Sequence, residues 1–353
     1  MLKPLIVLAS ALALASCAMN SAPAPEQSTQ VATDANGWNA AALSEVVNYV
    51  ESQKTTGFLI IQDNKTIYEH NWPLTDADAV FRTNFVHGQA ADGALREDVA
   101  SQQKSFVALL IGVGIDKGKI DIAKPVSAYL GAGWSKTTPE QEAAISVRNL
   151  MEMNSGLKEN LTFDAAPDTK FFYNTPAYAL LKPVLEKASG MELWLVSQLW
   201  LTKIGDMHDT GWEQRPAAFS DVGNPTGLVT TPRDIARMGQ IVLDGGTKPN
   251  GARIISKAQL DALFVRTKTN PAYGHLWWLN GGEETVSVGP GSLRRAGQFI
   301  EAAPRDMIAA MGAMDRKLFI APSMKLIVVR TGQAAPDKDF NEKLWQLVTK
   351  AMP

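Results

Sequence analysis

The stretch Ser101-Gln102-Gln103-Lys104, followed by Ser105 and an apolar run over residues 106–115, decides how the rest of this chain is read. Three residues is just under one helical turn, so a hydroxyl at 101 and an amine at 104 share a helix face, about 5–6 Å apart at Cβ. That separation permits proton transfer. A serine hydroxyl is a weak nucleophile until a base stands beside it, and a lysine serves as that base only where burial or neighbouring positive charge keeps its amine neutral. The run that follows is apolar on nearly every face, which predicts a helix buried on all sides and puts Lys104 at the mouth of a dry core. A Ser-x-x-Lys pair arises by chance about once in a chain of this length. A second one, Ser155 to Lys158, contains Gly156 directly after the apolar run 150–153, a pattern that ends a helix and assigns that pair to a loop.

On the N-terminal side of this helix, residues 38–53 carry Leu43, Val46, Val47 and Val50 at helical spacing. Residues 58–62 and 66–72 flank Asp63-Asn64-Lys65 and predict a strand, a tight turn and a strand. On the C-terminal side, Gly118 is a helix stop, and from about 121 to 226 the spacing is mostly helical, notably over 147–153, 177–188 and 192–200. Thr231 is an N-cap with Pro232 at the first helical position, and Gly245-Gly246 lie past that helix's end. Residues 318–321 and 326–330 predict a second hairpin, and 341–352 a closing helix. Strands near both ends with helices between them predict an α/β domain of the α+β type. Its antiparallel sheet is flanked by helices and interrupted by an inserted all-helical subdomain at about 121–226.

The first residues, Met1-Leu2-Lys3, precede an uncharged run over 5–15, the pattern of a secretory signal too short to span a bilayer as a helix. Leu14-Ala15-Ser16-Cys17 contains the only cysteine of the chain and resembles the lipobox of bacterial lipoproteins. That resemblance implies cleavage before Cys17 and acylation there, with Ala18 in place of Asp favouring the outer membrane facing the periplasm. Residues 18–36, rich in Ala, Ser, Pro, Thr and Gln, read as a flexible tether, and the folded domain is expected over 37–353. With 34 Lys and Arg against 36 Asp and Glu, the net charge of −2 and the absence of a basic cluster exclude nucleic acid as an expected partner. The histidines His70, His87, His208 and His275 show no zinc spacing, so neither a metal nor another cofactor is expected.

Several segments in order, 99–106, 111–120, 145–157, 172–181, 227–239 and 318–332, resemble the serine β-lactamase and penicillin-binding-protein superfamily. The branch of class C β-lactamases, esterases and 6-aminohexanoate-oligomer hydrolases is the most similar. The resemblance implies a β-lactamase/transpeptidase-like fold with Ser101 as nucleophile and Lys104 as its partner. Tyr173 matches the tyrosine of the Tyr-x-Asn element, with Thr175 where asparagine usually stands, and a phenol beside an ammonium is expected to have a lowered pKa. The third element, Lys-Thr-Gly or His-x-Gly, registers on Gly312, but Ala310 and Met311 precede it, so no basic side chain is there to hold a substrate carboxylate. The backbone N–H groups of Ser101 and Ala313 are the implied oxyanion donors. Trp277 and Trp278, beside Tyr273, either line an acyl pocket or pack a strand into the core. Arg294 and Arg295 read as solvated loop charges, and Ser220-Asp221 matches two residues of the class A Ser-Asp-Asn element by chance, since Val222 follows. No sequence account emerges for Asp315 and Arg316.

The expected function is an envelope-anchored serine hydrolase taking a small-molecule ester or amide, with its oligomeric state open. A catalytically silent protein binding peptidoglycan fragments or a partner, and a true class C-type β-lactamase, are the alternatives. A Ser-His-Asp hydrolase is disfavoured because no Gly-x-Ser-x-Gly elbow occurs.

Overall fold

A computed structural model describes residues 30–31, 37–217, 223–288 and 292–353. Cys17, the signal segment and Ser220-Asp221-Val222 lie outside the described residues. Strand β1 (Gln30–Val31) precedes helix α1 (Ala40–Ser52), β2 (Thr55–Gln62) and β3 (Lys65–Asn71). Next come α2 (Ala79–Phe85), β4 (Val86–Gln89), β5 (Leu95–Asp98), a 3₁₀ turn (Ala100–Gln102) and α3 (Gln103–Asp116). The middle of the chain holds α4 (Ser127–Leu130), α5 (Pro139–Ala143), α6 (Val147–Met151), α7 (Thr175–Ala179), α8 (Leu181–Ser189) and α9 (Leu193–Ser197). It continues through β6 (Gly211–Gln214), β7 (Thr226–Thr230), α10 (Pro232–Leu243) and α11 (Lys257–Leu263). Short strands β8 (Trp278–Leu279), β9 (Glu284–Val286) and β10 (Arg294–Ala296) lead to β11 (Ile308–Gly312), β12 (Arg316–Ala321), β13 (Leu326–Gly332) and α12 (Phe340–Ala351).

The seven-stranded sheet runs β1-β3-β2-β13-β12-β11-β8, and its neighbours pair antiparallel. The β2–β3 turn puts Asp63 and Asn64 at φ 49° and 61°, the left-handed pair that a two-residue hairpin requires. Helices α1 and α12, from opposite ends of the chain, pack together, with Trp345 of α12 5.6 Å from Phe319 of β12. Helix α10 covers the other face, where Gly239 admits Leu318 and Ile327 of the sheet. Alternate residues of β12 thus serve two helical layers, as a strand's period of two demands.

Two expectations need correction. The insertion at 121–226 is not all-helical: β6 and the start of β7 fall in it and join β4 and β5 in a second sheet, ordered β4-β5-β7-β6. These strands are only four or five residues long, too short for a period-two alternation to stand out in the sequence. The span read as a tether also contains β1, whose Gln30 and Val31 pair with Glu69 and Tyr68.

Candidate active site

The Ser101 turn is built by strain and by pinned hydrogen bonds. Ala100 sits at φ 49°, a conformation that costs a side-chain-bearing residue about 1–2 kcal/mol. Asp98 compensates by accepting the Ala100 N–H at 2.8 Å, and Arg215 grips Asp98 with two bonds of 2.6 and 2.9 Å. Gln103 donates to the Ala100 carbonyl at 3.0 Å, and the Tyr178 hydroxyl lies 3.3 Å from the other end of that amide. Ser101 belongs to the 3₁₀ turn rather than to the helix, and α3 behind it is buried from Gln103 to Gly114.

Lys104 is buried (1 % exposed), deeper than the core mouth expected, and its Nζ stands 2.9 Å from Ser101 Oγ and 3.3 Å from Thr175 Oγ1. Burial, then the positive charges of Arg215 and Lys182, push its pKa well below the ordinary lysine value. The shift favours the neutral amine. Tyr173 lines the same cavity as Ser101, and its ring centroid lies 4.8 Å from the lysine nitrogen. Its pKa runs opposite to expectation: burial pushes it up to about 12. The phenol is a neutral donor. Its ring is fixed by Trp278, stacked at 6.1 Å, and by the edge of Tyr273 at 6.2 Å. Thr175 opens α7 behind the N-cap Asn174, whose amide also ties to the Leu157 carbonyl at 2.9 Å, so a hydroxyl replaces the usual amide against Lys104.

Across the cleft, β8 pairs with β11 only at Ile308 and Ala309, leaving the edge toward Gly312 open. Gly312 passes so close to the serine turn that a Cβ there would lie 2.3 Å from the Val99 carbonyl oxygen. The next residue, Ala313, lines the same cavity as Ser101, and Arg316 donates to its carbonyl at 3.0 Å. Arg316 is fully buried, stacks on Phe81 and Phe85 and faces Glu97 at 3.5 Å. Asp315 pairs with Lys317 at 3.2 Å and accepts the Ala335 N–H at 3.0 Å. Both residues thus hold the turn that presents Ala313, which supplies the account that the sequence lacked.

The cavity measures about 410 Å³ and is lined by Ser101, Tyr173, Trp278, Phe299, Met311, Gly312 and Ala313, with Thr285, Ser287, Val288 and Arg295 toward the β9–β10 ribbon. Its walls are mainly apolar. Trp277 does not line it: that ring is fully buried against Phe264 at 5.6 Å, because successive side chains point to opposite sides and only Trp278 faces the cleft. Arg295, opposite Thr285 on the ribbon, is the one charged residue lining the cavity among the described residues, whereas Arg294 turns away and pairs with Glu284 at 2.5 Å. Thr285, Phe299 and Met311 carry no local signal, since only the fold brings them to the serine. Among the described residues, no group of three His, Cys, Asp or Glu side chains is placed to hold a metal, and no helix is long and apolar enough to cross a membrane.

This architecture, with a serine and a buried lysine one turn apart at the sheet edge, is that of the β-lactamase-like hydrolases. A family model described as Beta-lactamase matches residues 45–341, and the chain belongs to that family. The 6-aminohexanoate-dimer hydrolase of Paenarthrobacter ureafaciens is 23% identical over 299 residues, covering 69% of each chain. Among solved structures, a class C β-lactamase superposes with a TM-score of 0.64 at 14% identity, over 89% of this chain and 97% of that one. A family VIII carboxylesterase gives 0.62 at 13% identity, over 92% and 100%.

Proposed function

We propose that the protein is an envelope-anchored hydrolase that cleaves an ester or linear amide through an acyl intermediate on Ser101. The observation that carries this reading is the 2.9 Å contact between Ser101 Oγ and the buried Lys104 Nζ on a cavity shared with Tyr173 and Ala313. Neutral Lys104 takes the hydroxyl proton as Oγ attacks the carbonyl, and the oxyanion is received by the Ser101 and Ala313 N–H groups. Tyr173, protonated and dry, passes its proton to the leaving group and takes back the one Lys104 holds, so the amine is neutral again for deacylation. Water then enters by the reverse route to release the acid. Trp278, Phe299 and Met311 suit an apolar acyl group, and the lone Arg295 disfavours a cationic one. Ala310 and Met311, in place of a basic residue before Gly312, count against penicillin-like substrates.

The test uses protein beginning at Ala18, with a fluorophosphonate probe and p-nitrophenyl acetate and butyrate. Labelling and turnover that disappear in Ser101→Ala and Lys104→Met support the hydrolase, while an unlabelled wild type with no turnover refutes it and favours a silent binder. Rapid nitrocefin turnover would move the assignment to a β-lactamase. For the anchor, the full chain should incorporate radiolabelled palmitate and fractionate with the outer membrane, and Cys17→Ser should do neither.

A further inference from the structure

Lys182, on α8, is a buried cation that the proposed reaction leaves unused. It is 6 % exposed, and its Nζ donates to Asn224 Oδ1 at 2.6 Å and to the Thr226 carbonyl at 2.5 Å. No carboxylate lies within ion-pair distance of it among the described residues. Neutral acceptors orient the amine and leave its charge uncancelled. The nitrogen stands 4.8 Å from the Trp212 ring centroid and 5.9 Å from that of Tyr178. Lys104 Nζ stands 4.8 Å from the same Tyr178 ring, which is fully buried. One dry aromatic ring therefore links the two amines, and neither water nor salt screens them as it would at the surface.

We propose that Lys182 is a positioning residue for charge, a second buried amine set beside Tyr178 whose positive field holds Lys104 in its proton-accepting form. The proposal rests on reading Lys104 as the base. Among the neighbouring charged groups, Arg215 bears on Lys104 most and Lys182 next. Burial keeps Tyr173, Tyr178 and Tyr273 protonated, Arg215 is locked on Asp98, and Arg316 faces Glu97 beyond them. Burial brings Lys182 itself down to about 7. With the two amines on one ring, a proton on Lys182 opposes a proton on Lys104.

The experiment reads Lys104 directly, by ¹³Cε NMR titration of protein labelled with [ε-¹³C]lysine, with the Lys104 signal assigned through Lys104→Met. Lys182→Gln and Lys182→Met remove the charge, while Asn224→Asp cancels it by pairing. Each should raise the Lys104 midpoint by on the order of one pH unit, and Lys182→Arg should keep it low. The acid limb of kcat/KM for p-nitrophenyl butyrate should move by the same amount. An unmoved Lys104 midpoint in the folded neutral variants and in Asn224→Asp overturns the proposal. Absence of any turnover in the wild type sinks the hydrolase reading instead, since the NMR titration does not depend on turnover.

Discussion

Replacing Gly312 with alanine tests how the cleft is assembled. Its φ is not left-handed, so the demand for glycine is purely steric. An added Cβ would lie 2.3 Å from the Val99 carbonyl oxygen, roughly 1 Å inside ordinary contact. That oxygen is main chain and cannot swing aside, so β11 must retreat from the Ser101 turn by about that distance, carrying Ala313 with it. Overpacking of this kind costs about 1–3 kcal/mol of stability, which a domain of this size tolerates. Catalysis suffers more, because removing one oxyanion donor lowers turnover by about 10²–10³-fold. The expected result for Gly312→Ala is a fall in kcat for p-nitrophenyl butyrate of about 10²-fold with KM nearly unchanged. A kcat/KM within about threefold of the wild type, in a protein with an unshifted melting temperature, would refute the assembly of the hole by close approach.

As the proposed base, Lys104 acts only when neutral and its pKa is depressed by burial, so kcat/KM should fall as pH drops through that pKa. It should stay flat on the alkaline side, because Tyr173 keeps its proton up to about 12. An alkaline limb near neutrality that vanishes in Tyr173→Phe would contradict this. Trp278→Ala should widen the cavity and raise the octanoate-to-butyrate ratio of kcat/KM by about tenfold, whereas Trp277→Phe should lower the melting temperature and leave that ratio alone. Stability should increase with pH between 7 and 9. Burial lowers Lys182 to about 7 and Lys317 to about 8, so over this window the unfolded chain binds protons that the folded chain does not. Each such lysine adds up to about 1.4 kcal/mol per pH unit. A urea midpoint that falls from pH 7 to pH 9 would show the sign to be wrong.

The readings that rest on neighbours in the chain stand closest to the structure. The three-residue interval from Ser101 to Lys104 becomes a 2.9 Å contact because one helical turn fixes it. The β2–β3 hairpin follows from its turn residues, and the all-apolar run after Lys104 becomes the buried α3. The resemblance places Tyr173 and Gly312, yet neither its chemistry nor its register tells what surrounds them. The rise in the Tyr173 pKa, the clamp of Arg316 on Ala313, and Arg295 at the cavity wall depend on residues far apart in sequence. The same holds for Trp278 facing the cleft in place of Trp277 and for Lys182 beside the Tyr178 ring. Sequence by itself determined the one-turn pairing of hydroxyl and amine and the two hairpins, since periodicity and turn chemistry are local. The protonation of that pair and the shape of its cavity were decided only in three dimensions, because desolvation and close backbone approach come into being when remote segments pack.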